Sequence, residues 1–212
     1  MLADAVRAFY NSDIAFVNSG AIRCDRIIPP TNGKPLRIRD VMDISPFDNA
    51  LVVKRISGRT IRAALENSVS DAHTDGRFLQ VAGLCFSFDW LHPEGERCSE
   101  IKTTSQSGTT VDLEDGRLYT VTMVTFIASG FDGYSCFEGA ETVVSSESAM
   151  TDTNLLLEVL RASYIHSTGD TASMDYDASV ARAGKSIVHR MHEVDGLPVV
   201  RPSKECRIKA IA

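Results

Sequence analysis

Thr125-Phe126-Ile127-Ala128-Ser129-Gly130-Phe131-Asp132-Gly133-Tyr134 follows directly on the strand-like stretch from Leu118 to Val124, so a strand empties into a loop bearing two glycines, an aromatic ring and a carboxylate. Glycine at 130 and 133 lets the backbone take positive φ and come close to a ligand. Asp132, between them, can accept two hydrogen bonds from neighbouring hydroxyls, and Phe126 offers a flat apolar face. Two readings stay open on these residues alone: a binding loop, or a strand ending in a glycine turn whose Phe drops into the core.

Outward from that loop, strands and helices alternate irregularly. The first segment, Met1 to Tyr10, reads as an amphipathic helix with no capping residue before it, and a longer chain upstream is expected. Asp13 to Val17 is a short apolar strand running into Asn18-Ser19-Gly20-Ala21-Ile22-Arg23. This second loop either offers an amide and a guanidinium to a ligand at a strand's carboxyl end or is a surface turn with an Arg. Pro29 to Gly33 marks a surface excursion, and Arg37 to Ile44 a short helix or turn. In Ser45-Pro46-Phe47-Asp48-Asn49 the proline stiffens the chain before an aromatic ring, which is a core plug or a platform.

Ala50 to Ile56 is a strand, followed through Ser57-Gly58 by a helix whose Ile61, Ala64, Leu65 and Val69 recur at helical spacing and should face the sheet. Phe78 to Gly83, Leu84 to Trp90 and Ser99 to Thr104 read as further strands, and a Gly- and Ser-rich turn region separates the last from Leu118 to Val124. Helices are expected at Thr153 to His166, after an Asp-Thr cap, and at Asp177 to Val194, with an extended tail from Gly196. The pattern predicts an α+β (α/β layered) single domain, a mixed β-sheet with flanking helices. Its parts are a core over residues 1–145, a helical extension over 146–195 packed on it, and the tail over 196–212.

With 43% hydrophobic and 24% charged residues among 212, the composition is that of an ordinary globular chain. A net charge of −6 with scattered Lys and Arg leaves no footprint for duplex nucleic acid or an anionic membrane surface. A small anion held by one or two arginines stays open. No apolar run approaches the roughly 20 residues of a membrane span, no signal-peptide pattern opens the chain, and the compartment is undetermined. The five cysteines stand at no metal or redox spacing and read as core or surface thiols.

Reactive groups are harder to find than binding ones. Asp71-Ala72-His73 has a D-x-H spacing suited to a binuclear metal centre, and His189 and His192 would stand one helical turn apart. A two-metal site needs about six convergent ligands, and no companion motif supplies them. Neither is assigned as a metal site, and the His pair reads as a solvated helix face. There is no nucleophile elbow and no phosphate-binding P-loop.

Five stretches in order, Ala3-Asp4-Ala5-Val6-Arg7, Asn18 to Arg23, Pro46-Phe47-Asp48-Asn49, Phe78 to Leu84 and Phe126 to Tyr134, resemble the carboxy-terminal, substrate-binding domain of the 5′-nucleotidase family over residues 1 to about 137. The resemblance implies a domain that recognises a nucleoside or nucleotide for a phosphoric monoester hydrolase of nucleotide catabolism. Hydrolysis would belong to an amino-terminal calcineurin-like metallophosphoesterase domain holding two divalent metal ions, so no catalytic residue, metal ligand or cofactor is assigned to this chain. By position, Phe47 and Phe126 correspond to rings that sandwich the base, and Asp132 to the carboxylate on the ribose hydroxyls. Arg23 corresponds to a pocket arginine, and Asn18 and Asn49 to polar groups at the base or pocket wall. The family's Gly-Gly-Asp-Gly is Gly130-Phe131-Asp132-Gly133 here, which places a ring where glycine is usual and, if φ is positive at 131, implies strain. The alternative is a non-catalytic nucleoside-binding or interaction module with a relaxed pocket.

Overall fold

A computed structural model of the protein describes residues 1–24, 35–70, 76–168, 178–202 and 206–211, with backbone alone for 165–168. The expected excursion at Pro29 to Gly33 and the Asp71-Ala72-His73 motif lie outside the described residues.

The chain opens with helix α1 (Leu2–Tyr10), strand β1 (Ile14–Asn18) and a 3-10 turn over Ser19–Ala21. Helix α2 (Ile38–Ile44) leads to strand β2 (Leu51–Ser57) and helix α3 (Gly58–Ser68). Strands β3 (Leu79–Ala82), β4 (Leu84–Phe88), β5 (Cys98–Thr104), β6 (Thr110–Asp112) and β7 (Leu118–Val124) come next. The short helix α4 (Thr125–Ala128) and two 3-10 turns precede strand β8 (Glu141–Val144). Helices α5 (Asp152–Thr168) and α6 (Ala178–Ile187) and strands β9 (Val188–Met191), β10 (Pro198–Val200) and β11 (Ile208–Ala210) complete the described elements.

The fold is mixed α+β, as the irregular alternation predicts, but its strands divide between sheets. A five-stranded mixed sheet runs β3-β1-β7-β2-β8, a four-stranded one β11-β4-β5-β6, and β9 with β10 forms a hairpin. Gly83 is where the chain passes from the first sheet to the second. Its φ is +73°, and a side chain there would collide with the Asp13 carbonyl and the Arg7 guanidinium. Arg7 bridges this junction, donating from Nε to Asp13 O at 2.9 Å and from Nη2 to Thr104 O at 2.6 Å.

All five residues of β1 are buried, which requires cover on both faces of the central sheet. Helix α1 packs against β1, β3 and α6, and α3 packs against β2 and β5. The α3 residues Ile61, Ala64 and Leu65, and Val69 just past its end, are all within 1% of full burial, as their spacing predicts. Ser57 caps the helix, its Oγ accepting from Thr60 N at 3.2 Å.

Three local expectations differ from the structure. The Gly- and Ser-rich region contains β6, because Thr110 to Asp112 pairs with Lys102 to Thr104. The helix expected over Asp177 to Val194 ends at Ile187, and the residues after it, beginning with the β-branched Val188, pair with Pro198–Val200. His189 and His192 therefore do not share a helix face: His189 lies on β9, and His192, just beyond it, holds Asp195 Oδ1 at 2.8 Å. The segment from Gly196, read as an extended tail, contributes β10 and β11, the latter parallel to β4. No helix among the described residues is long and apolar enough to cross a membrane.

Candidate functional site

The register of the central sheet brings three loops to one end. Strands β1 and β7 are parallel, with Ile14 opposite Val121, and β2 is antiparallel to β7, with Leu51 opposite Val124. The exits of β1 and β7 and the entry to β2 therefore lie side by side. Asn18 stands at the first exit, α4 with Phe126 at the second, and the Phe47 loop at the entry. Thr125 N donates to Ala50 O at 2.8 Å, which ties the last two together.

Asn18 is 4% exposed, and its Oδ1 is buried without a hydrogen-bond partner among the described residues. A buried amide oxygen left unpaired costs about 1–3 kcal/mol, so this atom is an acceptor that a ligand or water would satisfy. The turn after it is fixed by Ser19 N donating to Phe78 O and Gly20 N to Gly76 O, both at 2.7 Å. Four residues further, Arg23 N donates to Ile44 O at 2.7 Å, and the guanidinium carbon lies 5.5 Å from the centroid of the Phe47 ring. That is within cation–π range.

Phe47 is 53% exposed, so it is not a core plug. Its loop is held from beneath by the start of α5, a contact that sequence reasoning missed. Ser45 Oγ donates to Asp152 Oδ2 at 3.0 Å, Thr153 N to Asp152 Oδ1 at 2.8 Å, and Thr153 Oγ1 to Ser45 O at 2.6 Å. Asp152 N in turn donates to the carbonyl of Asn49 at 3.0 Å. Asp152 is 1% exposed, and burial holds its carboxyl above the usual carboxylate range. The Asp-Thr pair read as a helix cap is thus also the anchor of the Phe47 loop, with the half-buried Asn49 fixed through its backbone. The only local signal was the pair of small polar residues at the helix start.

Phe126, on α4, is partly exposed, so it does not drop into the core. Its ring lies flat against Phe131, centroids 4.9 Å apart and planes 13° from parallel. The left-handed residues of this loop are Gly130 (φ 89°), Asp132 (φ 56°) and Gly133 (φ 81°). Phe131 is not among them, so the strain expected at 131 falls on Asp132, where a short polar side chain tolerates it best. Asn67 Nδ2 donates to Asp132 O at 3.0 Å and holds that conformation. The Asp132 carboxylate makes no hydrogen bond or ion pair among the described residues. Beyond it Tyr134 is fully buried, its hydroxyl donating to Arg77 O at 2.6 Å and its ring stacked on Phe137 at 5.5 Å, which anchors the loop to the core.

The structure thus gathers Asn18, Arg23, Phe47, Asn49, Phe126 and Asp132 at one sheet end, with Arg23 directly on Phe47 and Phe131 inserted as an unforeseen ring on Phe126. Elsewhere a cavity of about 750 Å³ lies between α2, α5 and the β9–β10 hairpin. None of those six residues lines it. Among the described residues no group of three or more His, Cys, Asp or Glu is placed to hold a metal ion. None of the five cysteines takes part in a disulfide.

Comparison with known proteins identifies the family and the fold. A family model described as 5′-nucleotidase, C-terminal domain, matches residues 1–139. The trifunctional nucleotide phosphoesterase YfkN of Bacillus subtilis is 33% identical over 141 residues, 66% of this chain and 9% of that protein. A snake venom 5′-nucleotidase of Naja atra is 30% identical over 137 residues, 63% of this chain and 26% of its own length. Among solved structures, a 5′-nucleotidase precursor of Thermus thermophilus superposes with a TM-score of 0.71 at 27% identity, covering 99% of this chain and 34% of that one. The chain spans about a quarter or less of the length of the two curated relatives.

Proposed function

We infer that this chain, which belongs to the 5′-nucleotidase family as its carboxy-terminal domain, recognises the nucleoside part of a nucleotide for a 5′-nucleotidase-like hydrolase of nucleotide catabolism. The observation that carries the reading is the convergence, at one sheet end, of two exposed rings, an unpartnered buried amide oxygen and a carboxylate with no partner among the described residues. Phe47 and Phe126 supply stacking faces for a base. Each such contact contributes about 1–3 kcal/mol and is indifferent to base identity, since every base has a π-face. The Asn18 acceptor orients a donor edge, and the Asp132 carboxylate receives the two ribose hydroxyls. Arg23, already over Phe47, stiffens that ring and adds positive charge for an anionic substituent, while Asn49 lines the wall.

The recognition surface lies within residues 1–145, and residues 146–195 support it through Asp152. The partner is an amino-terminal metallophosphoesterase domain. The family's metal sites lie in that domain, and the described residues of this chain offer no set of ligands that fits a metal pair. On the family's pattern, hydrolysis is assigned to the partner domain and recognition to this one.

One feature favours a second reading, a non-catalytic nucleoside-binding or interaction module with a relaxed pocket: the stacking of Phe131 on Phe126. Calorimetric titration with adenosine separates a retained nucleoside pocket from a purely structural interaction role. Saturable binding that Phe47→Ala and Phe126→Ala each weaken by about 5- to 150-fold is the expected result. Wild-type protein that takes up no adenosine at millimolar concentration refutes the recognition role.

A further inference from the structure

Phe131 meets Phe126 in the geometry that a stacked base would take, with centroids 4.9 Å apart and planes 13° from parallel. One face of an aromatic ring accommodates one stacked layer, so that face of Phe126 is already taken. Little else holds the covering ring. Phe131 is 58% exposed, and Gly130 and Gly133 on either side carry φ of 89° and 81°. The loop's anchors are the Asp132 carbonyl on Asn67 and the Tyr134 hydroxyl on Arg77 O, and neither uses the Phe131 side chain. Neither of these loop hydrogen bonds therefore ties the Phe131 ring to its place on Phe126.

We propose that Phe131 is a built-in competitor for the stacking face of Phe126, so that a planar nucleobase reaches this face only by displacing it. The proposal rests on the nucleoside-recognition reading above. Lifting the ring carries the same cost whatever ligand follows, so Phe131 lowers affinity by one factor for every base and leaves preference among bases unchanged. An aromatic pair of this kind corresponds to about a 2- to 12-fold effect on a dissociation constant.

Calorimetric titration of the full 212-residue chain with adenosine and with cytidine tests it, using wild type, Phe131→Ala, Phe126→Ala and the double variant. Because Phe131 is exposed, thermal melts should show its replacement folding cooperatively, with no more than the small loss of one aromatic pair. Phe131→Ala is expected to tighten both nucleosides by the same factor of about 2- to 12-fold, and the gain should vanish in the Phe126→Ala background. Unchanged or weaker binding by Phe131→Ala, with Phe126→Ala still deleterious, overturns the competitor and leaves the recognition surface standing. Failure of both wild type and Phe131→Ala to bind either nucleoside at millimolar concentration overturns both.

Discussion

Replacing Asp152 tests how the Phe47 loop is held. Its carboxylate accepts from Ser45 Oγ and Thr153 N in a site 1% exposed, and Ser45 itself is 2% exposed. Asp152→Ala removes an acceptor from two donors that water does not reach. Hydrogen bonds to a charged group contribute about 1.5–3 kcal/mol each, against which stands the relief of a desolvated carboxylate. A net loss of about 2–3 kcal/mol follows, read as a lower urea midpoint at constant slope. Adenosine affinity should fall with it, because the loop that carries Phe47 loses its tether. Asp152→Asn keeps an acceptor and isolates the charge. Burial raises the folded-state pKa of Asp152, so the folded chain holds that proton more tightly than the unfolded one. The resulting stabilisation is complete below the unfolded value of about 3.9 and is lost as pH rises through the higher folded value. The stability of wild type relative to Asp152→Asn should therefore decrease from about pH 4 towards pH 7. An Asp152→Ala protein within about 0.5 kcal/mol of wild type refutes the anchoring argument, and a pH trend of the opposite sign refutes the dominance of burial over the hydrogen bonds at this carboxyl.

Tyr134→Phe deletes the hydroxyl that donates to Arg77 O while preserving the stack on Phe137, and it should cost about 1–1.5 kcal/mol in denaturant unfolding. Because this tether sets the position of the loop, adenosine binding should weaken in the same variant. Gly83→Ala forces a side chain onto the Asp13 carbonyl and Arg7 at a φ of +73°, and a loss above about 2 kcal/mol is expected in urea unfolding.

The elements that read most clearly from sequence are those whose evidence is local. The spacing of Ile61, Ala64, Leu65 and Val69 marks the buried face of α3, and the strand-like stretch from Leu118 to Val124 marks a central strand. The ordered motifs from Ala3 to Tyr134 identified the family and named the loops. Short strands failed where the local signal is weak. Thr110 to Asp112 is exposed throughout and becomes β6 only by pairing with β5, and Val188 to Met191 continues a helical pattern until Pro198–Val200 offers it a partner.

At the site, residue types were legible and their connections were not. Ser45 and Asp152 are separated by 107 positions, and Asn67 and Asp132 by 65. No periodicity relates residues so far apart, since periodicity reports only which side of one element faces the core. The sequence by itself determined the strand-then-glycine loop, the aromatic and polar residues it and its companions carry, and the family that arrangement belongs to, because each depends on residues a few positions apart. Only the tertiary structure decided that the parallel register of β1 with β7 and the antiparallel register of β2 bring those loops to one sheet end, that Asp152 ties the Phe47 loop down, and that Phe131 covers Phe126. Those outcomes depend on strand pairing and on packing between distant segments, and it is the three-dimensional closure of the chain that brings such segments into contact.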